Sequence, residues 1–254
     1  MRPIVTLLTD FGTADGYVAQ VKGVILSRAP LATVVDITHE IAPQDVTHAR
    51  FVVDGYWHRF PPGTVHLIVV DPGVGTSRAA LAVCADHRFL VAPDNGVLSS
   101  ALCWEGAHAV ALEVPTSASP VFHGRDVFAP AAAALTTGMP VEQLGPSCDH
   151  PVCLTWPVAR RDQDGVIEGE VLLVDRFGNV ITNLPGTEHA TRVTFGASEV
   201  HVLRTYADVA PGHPLALVGS SGFVEIAVRE GSAARRFDLD RGSRVALHVQ
   251  APAA

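Results

Sequence analysis

The stretch Thr64-Val-His-Leu-Ile-Val-Val-Asp71 constrains the fold more than any other part of the chain. It is an apolar run that ends on an acid and turns at once at Pro72-Gly-Val-Gly75. A strand apolar along its length, rather than at alternate positions, must be covered on both faces, as in the sheets of α/β proteins. The residues around it alternate in the same sense. Ile4–Thr9 and Thr33–Ile37 read as strands. Tyr17–Arg28 has helical spacing, with Val18, Val21, Val24 and Ile25 on one face, and stops before Pro30. Gln44–Phe60 reads as a second helix, stopped by Pro61-Pro62-Gly63. Leu81–Cys84 and Phe89–Ala92 read as a hairpin before the turn Pro93-Asp-Asn-Gly96, and Val127–Thr137 as an Ala-rich helix ending at Gly138-Met-Pro140. This pattern predicts an α/β sandwich.

After the polar stretch Arg160-Arg-Asp-Gln-Asp-Gly165 short strands take over: Val166–Val174, Asn179–Asn183, Arg192–Phe195, Glu199–Leu203, Leu215–Val218, Val224–Val228 and Arg244–Val249. Turns rich in Gly, Pro and Asp separate them, which predicts a small β-barrel or sandwich. The expected organisation is an N-terminal α/β domain over residues 1–160 and a smaller C-terminal β-barrel domain over 166–254, with Ala251–Ala254 frayed.

Composition narrows the function classes. With 17% charged and 48% apolar residues the chain must bury a large core, so disorder is excluded. A net charge of −8 without a basic run argues against nucleic acid or an anionic membrane as partner. No apolar stretch reaches the ~20 residues of a membrane span. The N-terminus runs directly into a strand with no secretory signal pattern, so a cytoplasmic protein is expected. Cys84, Cys103, Cys148 and Cys153 then read as reduced, mostly buried thiols. Cys148-Asp-His-Pro-Val-Cys153 has no second Cys/His pair at ligand spacing, His39-Glu40 lacks the HExxH continuation, and no metal is expected.

Four constellations carry chemistry. Asp10 ends the first strand, followed by Phe11-Gly12 and Asp15. A carboxylate at a strand end accepts two hydrogen bonds from a vicinal diol, which suits a ribose, and Gly12 lets the backbone approach a ligand. Asp15 reads equally as the N-cap of the helix it precedes. The loop is not a GxGxxG phosphate cradle, and no P-loop is present. The second set is Asp71, Arg78 and His123, followed by Gly124. Arginine holds a neighbouring carboxylate ionised, and a carboxylate orients a histidine; water among them would be a positioned nucleophile. The competing reading is a structural Asp–Arg bridge with a turn histidine. The third is Asp175-Arg-Phe177-Gly-Asn179, where an Asn offers a donor and an acceptor in one plane for a purine edge and Phe177 can stack on a base; it reads also as a plain β-turn. The fourth is the small-residue turn Gly219-Ser220-Ser-Gly222 with Glu225.

In this order the segments TDFGTADGYVAQVKGVI, VVDITHEIAPQDV, FPPGTVHLIVVDPGVGTSR, APDNGVLS, FHGRDVFAP and VDRFGNVITNL resemble the adenosine-forming S-adenosyl-L-methionine (SAM) hydrolases. These are also called SAM hydroxide adenosyltransferases and are relatives of fluorinase and chlorinase. The resemblance runs from Ile4 to about Ala227, and the ordered set is specific where any single block is not. It implies a homotrimer whose active sites lie between the N-terminal domain of one subunit and the C-terminal domain of its neighbour. It implies catalytic roles for Asp71, Arg78 and His123, ribose binding by Asp10, and adenine and methionine contacts around Asp175, Phe177, Asn179, Tyr206 and Ser220. The substrate is then SAM, with no cofactor. The halogenating relatives carry a tyrosine in place of Asp71 and a small-residue/Ser pocket in place of His123-Gly124. A carboxylate in that pocket repels a halide and favours water. The implied reaction is attack on C5′, with Asp71 or His123 as the base. The rivals are a chlorinase-like halogenase and a protein that binds SAM or adenosine without turnover.

Overall fold

The computed structural model describes residues 2–250, so the tail expected to fray at Ala251–Ala254 lies outside the described residues. The chain divides into two compact units between Thr155 and Trp156.

The first unit runs β1 (Ile4–Thr9), α1 (Tyr17–Arg28), β2 (Thr33–Thr38), α2 (Val46–Tyr56), β3 (Val65–Val69), β4 (Ala80–Ala85), β5 (Arg88–Pro93), α3 (Ser99–Leu102), β6 (His108–Ala111) and α4 (Ala129–Thr136). Its six-stranded sheet has the order β2-β1-β3-β5-β4-β6. β2, β1, β3 and β5 are parallel, and β4 runs antiparallel to both β5 and β6. The apolar run over β3 is covered on both faces as its pattern requires. Val65, Leu67 and Val69 pack with Val5, Leu7, Val21 and Ile25 and with Phe128 and Ala132. Ile68 and Val70 pack on the opposite face with Leu8, Val53 and Trp57. This period-2 split sends successive side chains into two separate cores. α1 buries Val18, Val21 and Ile25, and ends where the Ala29 N–H meets the Ile25 carbonyl, just before Pro30. α2 starts at Val46, two residues after the expected Gln44, because Asp45 caps it by accepting from the His48 N–H at 2.9 Å. Its far end tightens into a 3-10 turn over Trp57–Arg59.

The helix expected over Val127–Thr137 is present as α4, Ala129–Thr136, and a π-turn over Gly124–Phe128 precedes it and takes in the first two expected residues. β6 and α3 carry too few residues to show a periodicity. The thiols are less buried than expected: Cys103 and Cys153 are exposed, and Cys84 and Cys148 are partly covered. Cys103 caps the short α3, and Cys153 sits in the irregular segment that ends the unit, so neither belongs to a packed face.

The second unit is an antiparallel sheet: β7 (Arg160–Arg161), β8 (Ile167–Val174), β9 (Val180–Pro185), β10 (Ala190–Phe195), β11 (Ser198–His201), β12 (Pro214–Val218), β13 (Phe223–Val228), a short α5 (Ala233–Phe237) and β14 (Arg244–Val249). The order is β11-β10-β14-β8-β9-β13-β12, with β7 on β8. A parallel bridge from Val202 to Ala216, with the Leu203 N–H donating to the Ala216 carbonyl at 2.8 Å, links the two outer strands and nearly closes a barrel. Closure hides the strand edges and encloses a core that includes Val171, Leu184, Val193, Ile226 and Leu247.

Candidate active site

The order β2-β1-β3 means that the chain leaves β1 toward one side and β3 toward the other. Loops at the carboxyl ends of two such strands open a crevice, the usual ligand position in a parallel sheet. Thr9 and Val69 are register partners on adjacent strands, so Asp10 and Asp71 both leave the sheet at this edge.

Asp71 sits just past β3, where Asn95 Nδ2 donates to the Val70 carbonyl at 2.9 Å and braces the strand end. Arg78 folds back over the Pro72–Gly75 turn and grips Asp71 with two parallel hydrogen bonds, one from Nε to Oδ1 at 2.8 Å and one from Nη2 to Oδ2. The same Nη2 donates to His123 Nδ1 at 3.0 Å. The Arg78 guanidinium also stacks on Phe128, 5.2 Å from the ring centre. The three predicted residues are therefore one connected group, and the pair Asp71–Arg78 is almost wholly buried.

His123 stands immediately before the π-turn, a distortion that often marks functional positions in helices. Burial and then the Arg78 charge push its pKa below the usual histidine value, against weaker opposing pulls from Asp71 and Asp126. Gly124 follows; a Cβ there would lie 3.0 Å from Val69 Cγ1 and 3.5 Å from Phe11 Cζ, so any side chain would press on the end of β3.

Asp10 Oδ2 accepts from the Gln44 N–H at 2.8 Å, and Oδ1 has no hydrogen bond among the described residues. Gln44 holds φ +67°, a left-handed conformation uncommon for a residue with a Cβ, at the point where its amide is aimed at Asp10. Asp15 is exposed, and α1 is capped at Gly16 without a side-chain hydrogen bond, so the N-cap reading of Asp15 fails. Phe11, Tyr17 and Phe122 form an aromatic cluster with ring centres 5.5–5.9 Å apart, Phe122 standing edge-on to the other two. With Ser119, Val121 and Arg125 they line a cavity of about 450 Å³. That Tyr17, Phe122 and Arg125 line this cavity and that Gln44 meets Asp10 was not legible; a sequence shows an aromatic or a glutamine, not what it turns toward.

In the second unit the Asp175–Asn179 turn is a true turn and also a polar cluster. Asp175 Oδ1 accepts from the N–H groups of Phe177 and Asn179 at 2.9 and 2.8 Å, and Oδ2 from Asn179 Nδ2 at 3.0 Å. The Tyr206 hydroxyl donates to Glu225 Oε2 at 3.3 Å. Burial raises the pKa of Glu225, Asp175 raises it further, and the Tyr206 hydrogen bond offsets part of this. Phe177 and Asn179 line a cavity of about 480 Å³ with Tyr206, Val228, Arg229 and Arg235. Phe177 is 78% exposed and Tyr206 40% exposed, so two large rings stand in the open at this cavity. Ser220 lies exposed in the turn next to Gly219, whose missing Cβ leaves room for the Glu225 carboxylate. Among the described residues no group of three or more His, Cys, Asp or Glu side chains could hold a metal ion.

Comparison with known proteins bears on the same two units. Residues 5–145 match the model of the SAM hydroxide adenosyltransferase N-terminal domain, and residues 169–246 that of the C-terminal domain. The chain is 41% identical to the (R)-S-adenosyl-L-methionine hydrolase of Thermus thermophilus, over 97% of this chain and 100% of the relative. It is 39% identical to the enzyme of the same name from Salinispora tropica, over 96% and 97% of the two chains. The fluorinase of Actinopolyspora mzabensis is more distant, 29% identical over 96% of each chain. Among solved structures, an uncharacterised conserved protein from Thermotoga maritima matches with a TM-score of 0.86 at 36% identity, covering 96% of this chain and 99% of that one. The chain belongs to the SAM hydroxide adenosyltransferase family.

Proposed function

We propose that this enzyme hydrolyses S-adenosyl-L-methionine at C5′, releasing adenosine and L-methionine. The observation that carries the reading is the linked Asp71–Arg78–His123 group at the crevice of the parallel sheet, with Asp10 at the neighbouring strand end. In the reaction the C5′–S bond breaks with its electron pair going to sulfur. Methionine leaves as a neutral thioether and requires no general acid. What the reaction lacks in water is a nucleophile, because bulk water has a pKa of about 15.7. Holding water in line with the C5′–S bond supplies up to roughly 7–11 kcal/mol, and base catalysis a factor of about 10²–10⁴.

The hydrogen-bond directions support one division of roles within the group. Arg78 can only donate, so neutral His123 accepts at Nδ1 and carries its proton on Nε2. His123 then donates from Nε2 to the water oxygen and orients it, and Asp71, with lone pairs beyond those used by Arg78, takes the proton. Asp10 accepts from the ribose hydroxyls. Asp175, Asn179, Phe177, Tyr206, Ser220 and Glu225 receive the adenine and methionine ends, with Phe11, Asp15 and Gly124 walling the reacting centre. The chemistry needs no metal or cofactor.

A homotrimer with shared sites fits the open cavity and exposed Phe177 and Tyr206 rings on the second unit. A cytoplasmic location fits the four free thiols, and no helix among the described residues is long and apolar enough to cross a membrane. The hydrolase relatives are named for the (R) form, and we take the same form as this chain's substrate.

The halogenase reading has the fluorinase likeness in its favour. The Asp71 carboxylate within the group opposes it by repelling a halide. Incubation of the purified protein with the separated (R) and (S) epimers of SAM, in oxygen-18 water with and without chloride, tests both. Adenosine labelled at the 5′-hydroxyl, formed faster from the (R) epimer and independent of chloride, is the expected result. A chlorinated nucleoside, or no product at all, would overturn the assignment.

A further inference from the structure

His39 is a buried histidine that the proposed reaction does not use, 6% exposed, with a hydroxyl at one ring nitrogen and a carboxylate near the other. On one side Thr9 Oγ1 lies 2.9 Å from His39 Nδ1. The same hydroxyl accepts from the Phe11 N–H at 3.3 Å. Nε2 faces Asp36 Oδ1 at 3.2 Å, off the line of a well-formed hydrogen bond; a carboxylate only accepts, which places the imidazole proton on Nε2 and leaves Nδ1 to accept from the Thr9 hydroxyl. The other oxygen of Asp36 pairs with Lys22 of α1 at 2.6 Å. The His39 backbone also takes part, because its carbonyl accepts from the Gly12 N–H at 2.8 Å.

The loop Asp10–Gly12 is thus fastened at three points. The Phe11 N–H goes to Thr9, the Gly12 N–H to His39, and Asp10 Oδ2 takes the Gln44 amide. Two of the fastenings come from the segment after β2, and the third, through the Thr9 hydroxyl, depends on His39. A loop of this kind needs outside support, since Gly12 has φ +64° and offers no side chain to pack. Thr9 is itself fully buried at the end of β1, where a hydroxyl without a partner would be costly and an apolar residue would pack equally well.

We propose that Thr9 and His39 are positioning residues that hold the Asp10–Gly12 loop so that the Asp10 carboxylate meets the ribose of the substrate. The inference rests on the reading of Asp10 as the ribose-binding group. It places the specificity of ribose grip partly in a contact between β1 and the end of β2 that touches no ligand.

Equilibrium binding of adenosine to the full-length protein tests this by calorimetry, independently of turnover. Thr9→Val keeps the side-chain shape and removes the hydroxyl; it is expected to weaken adenosine binding about tenfold, as one lost hydrogen bond of positioning would. Thr9→Ser, which keeps the hydroxyl, is expected to bind as the wild type does. In a double-mutant cycle with Asp10→Ala, the loss from Thr9→Val is expected to vanish, because a positioning residue has nothing left to position. Should Thr9→Val not fold, His39→Gln carries the same cycle. Unchanged affinity in the single variants, or losses that simply add to that of Asp10→Ala, would overturn the proposal, as would a wild-type protein that does not bind adenosine. A wild type that binds adenosine but forms no product from SAM would defeat the hydrolase reading and leave this test intact.

Discussion

Arginine donates hydrogen bonds and never accepts them, so the contact of Arg78 Nη2 with His123 Nδ1 fixes more than a distance. A protonated His123 would set an N–H against the guanidinium, in agreement with the lowered pKa that burial and Arg78 give it. A neutral ring with its proton on Nε2 serves as a donor to water and not as a base. This has a direct consequence for substitution. Glutamine can donate from its amide but cannot take a proton near neutral pH, so His123→Gln is expected to keep a measurable part of the turnover that His123→Ala loses. Asp71→Ala is expected to lose roughly 10²–10⁴-fold in kcat, with substrate affinity little changed. Steady-state kinetics on the three variants, with SAM binding measured separately, checks both. If His123→Gln is as inactive as His123→Ala while still binding substrate, histidine is the base. The residues Asp71, Arg78 and His123 were visible in the sequence because each interrupts or follows a strong apolar or glycine signal. Gln44 was not visible, because nothing in a glutamine announces a left-handed backbone.

At the scale of elements, the sequence was most legible where the signals are local. β1 and α1 have the same bounds in sequence and structure, since period and Pro30 act over a few residues. The π-turn at Gly124–Phe128 was not legible, because it depends on how His123 and Gly124 meet the end of β3. The Thr9–His39 contact joins residues thirty positions apart and leaves no pattern in either segment. One contact between elements has a thermodynamic signature. His66, in the middle of β3, is fully buried against Thr6 of β1, its Nδ1 2.8 Å from the Thr6 hydroxyl, and the rings of Tyr56 and Phe60 stand edge-on to it. Burial, and then the charge of Arg88, lower its pKa to about 3. The unfolded chain therefore takes up this proton first, near pH 6.5. The fold carries no such penalty above that pH and loses stability as the pH falls from about 6.5 toward 3. Between pH 7 and pH 5 the loss from this one group is about 2 kcal/mol. Urea unfolding at the two pH values is expected to show a change larger in the wild type than in His66→Gln by about that amount. Equal changes in the two proteins would show that His66 is not the responsible group.

At the scale of the whole molecule, the two units carry different halves of the proposed chemistry. The first holds Asp10, Asp71, Arg78 and His123; the second holds Asp175, Phe177, Asn179, Tyr206 and Glu225. In this reading neither half is sufficient: Asp71, Arg78 and His123 act on the nucleophile, and the cluster around Asn179 receives the adenine end. The trimer implied by the family resemblance joins the first unit of one chain to the second unit of the next, and this arrangement can be separated from a site within one chain by complementation. Asp71→Ala spoils the first half and Asn179→Ala the second. Each variant alone is expected to be nearly inactive, the first in kcat and the second through substrate binding. When the two chains are co-expressed and purified together through different tags, a shared site brings an intact first unit from one chain against an intact second unit from the other. In a closed ring of three that carries both tags, about one site in three is then whole. Recovery of activity on that order, in a complex whose light scattering gives three chains, is the expected outcome. A mixed assembly that stays inactive would mean that both halves of each site come from the same chain. The division of the site between units would then be a matter of folding rather than of assembly.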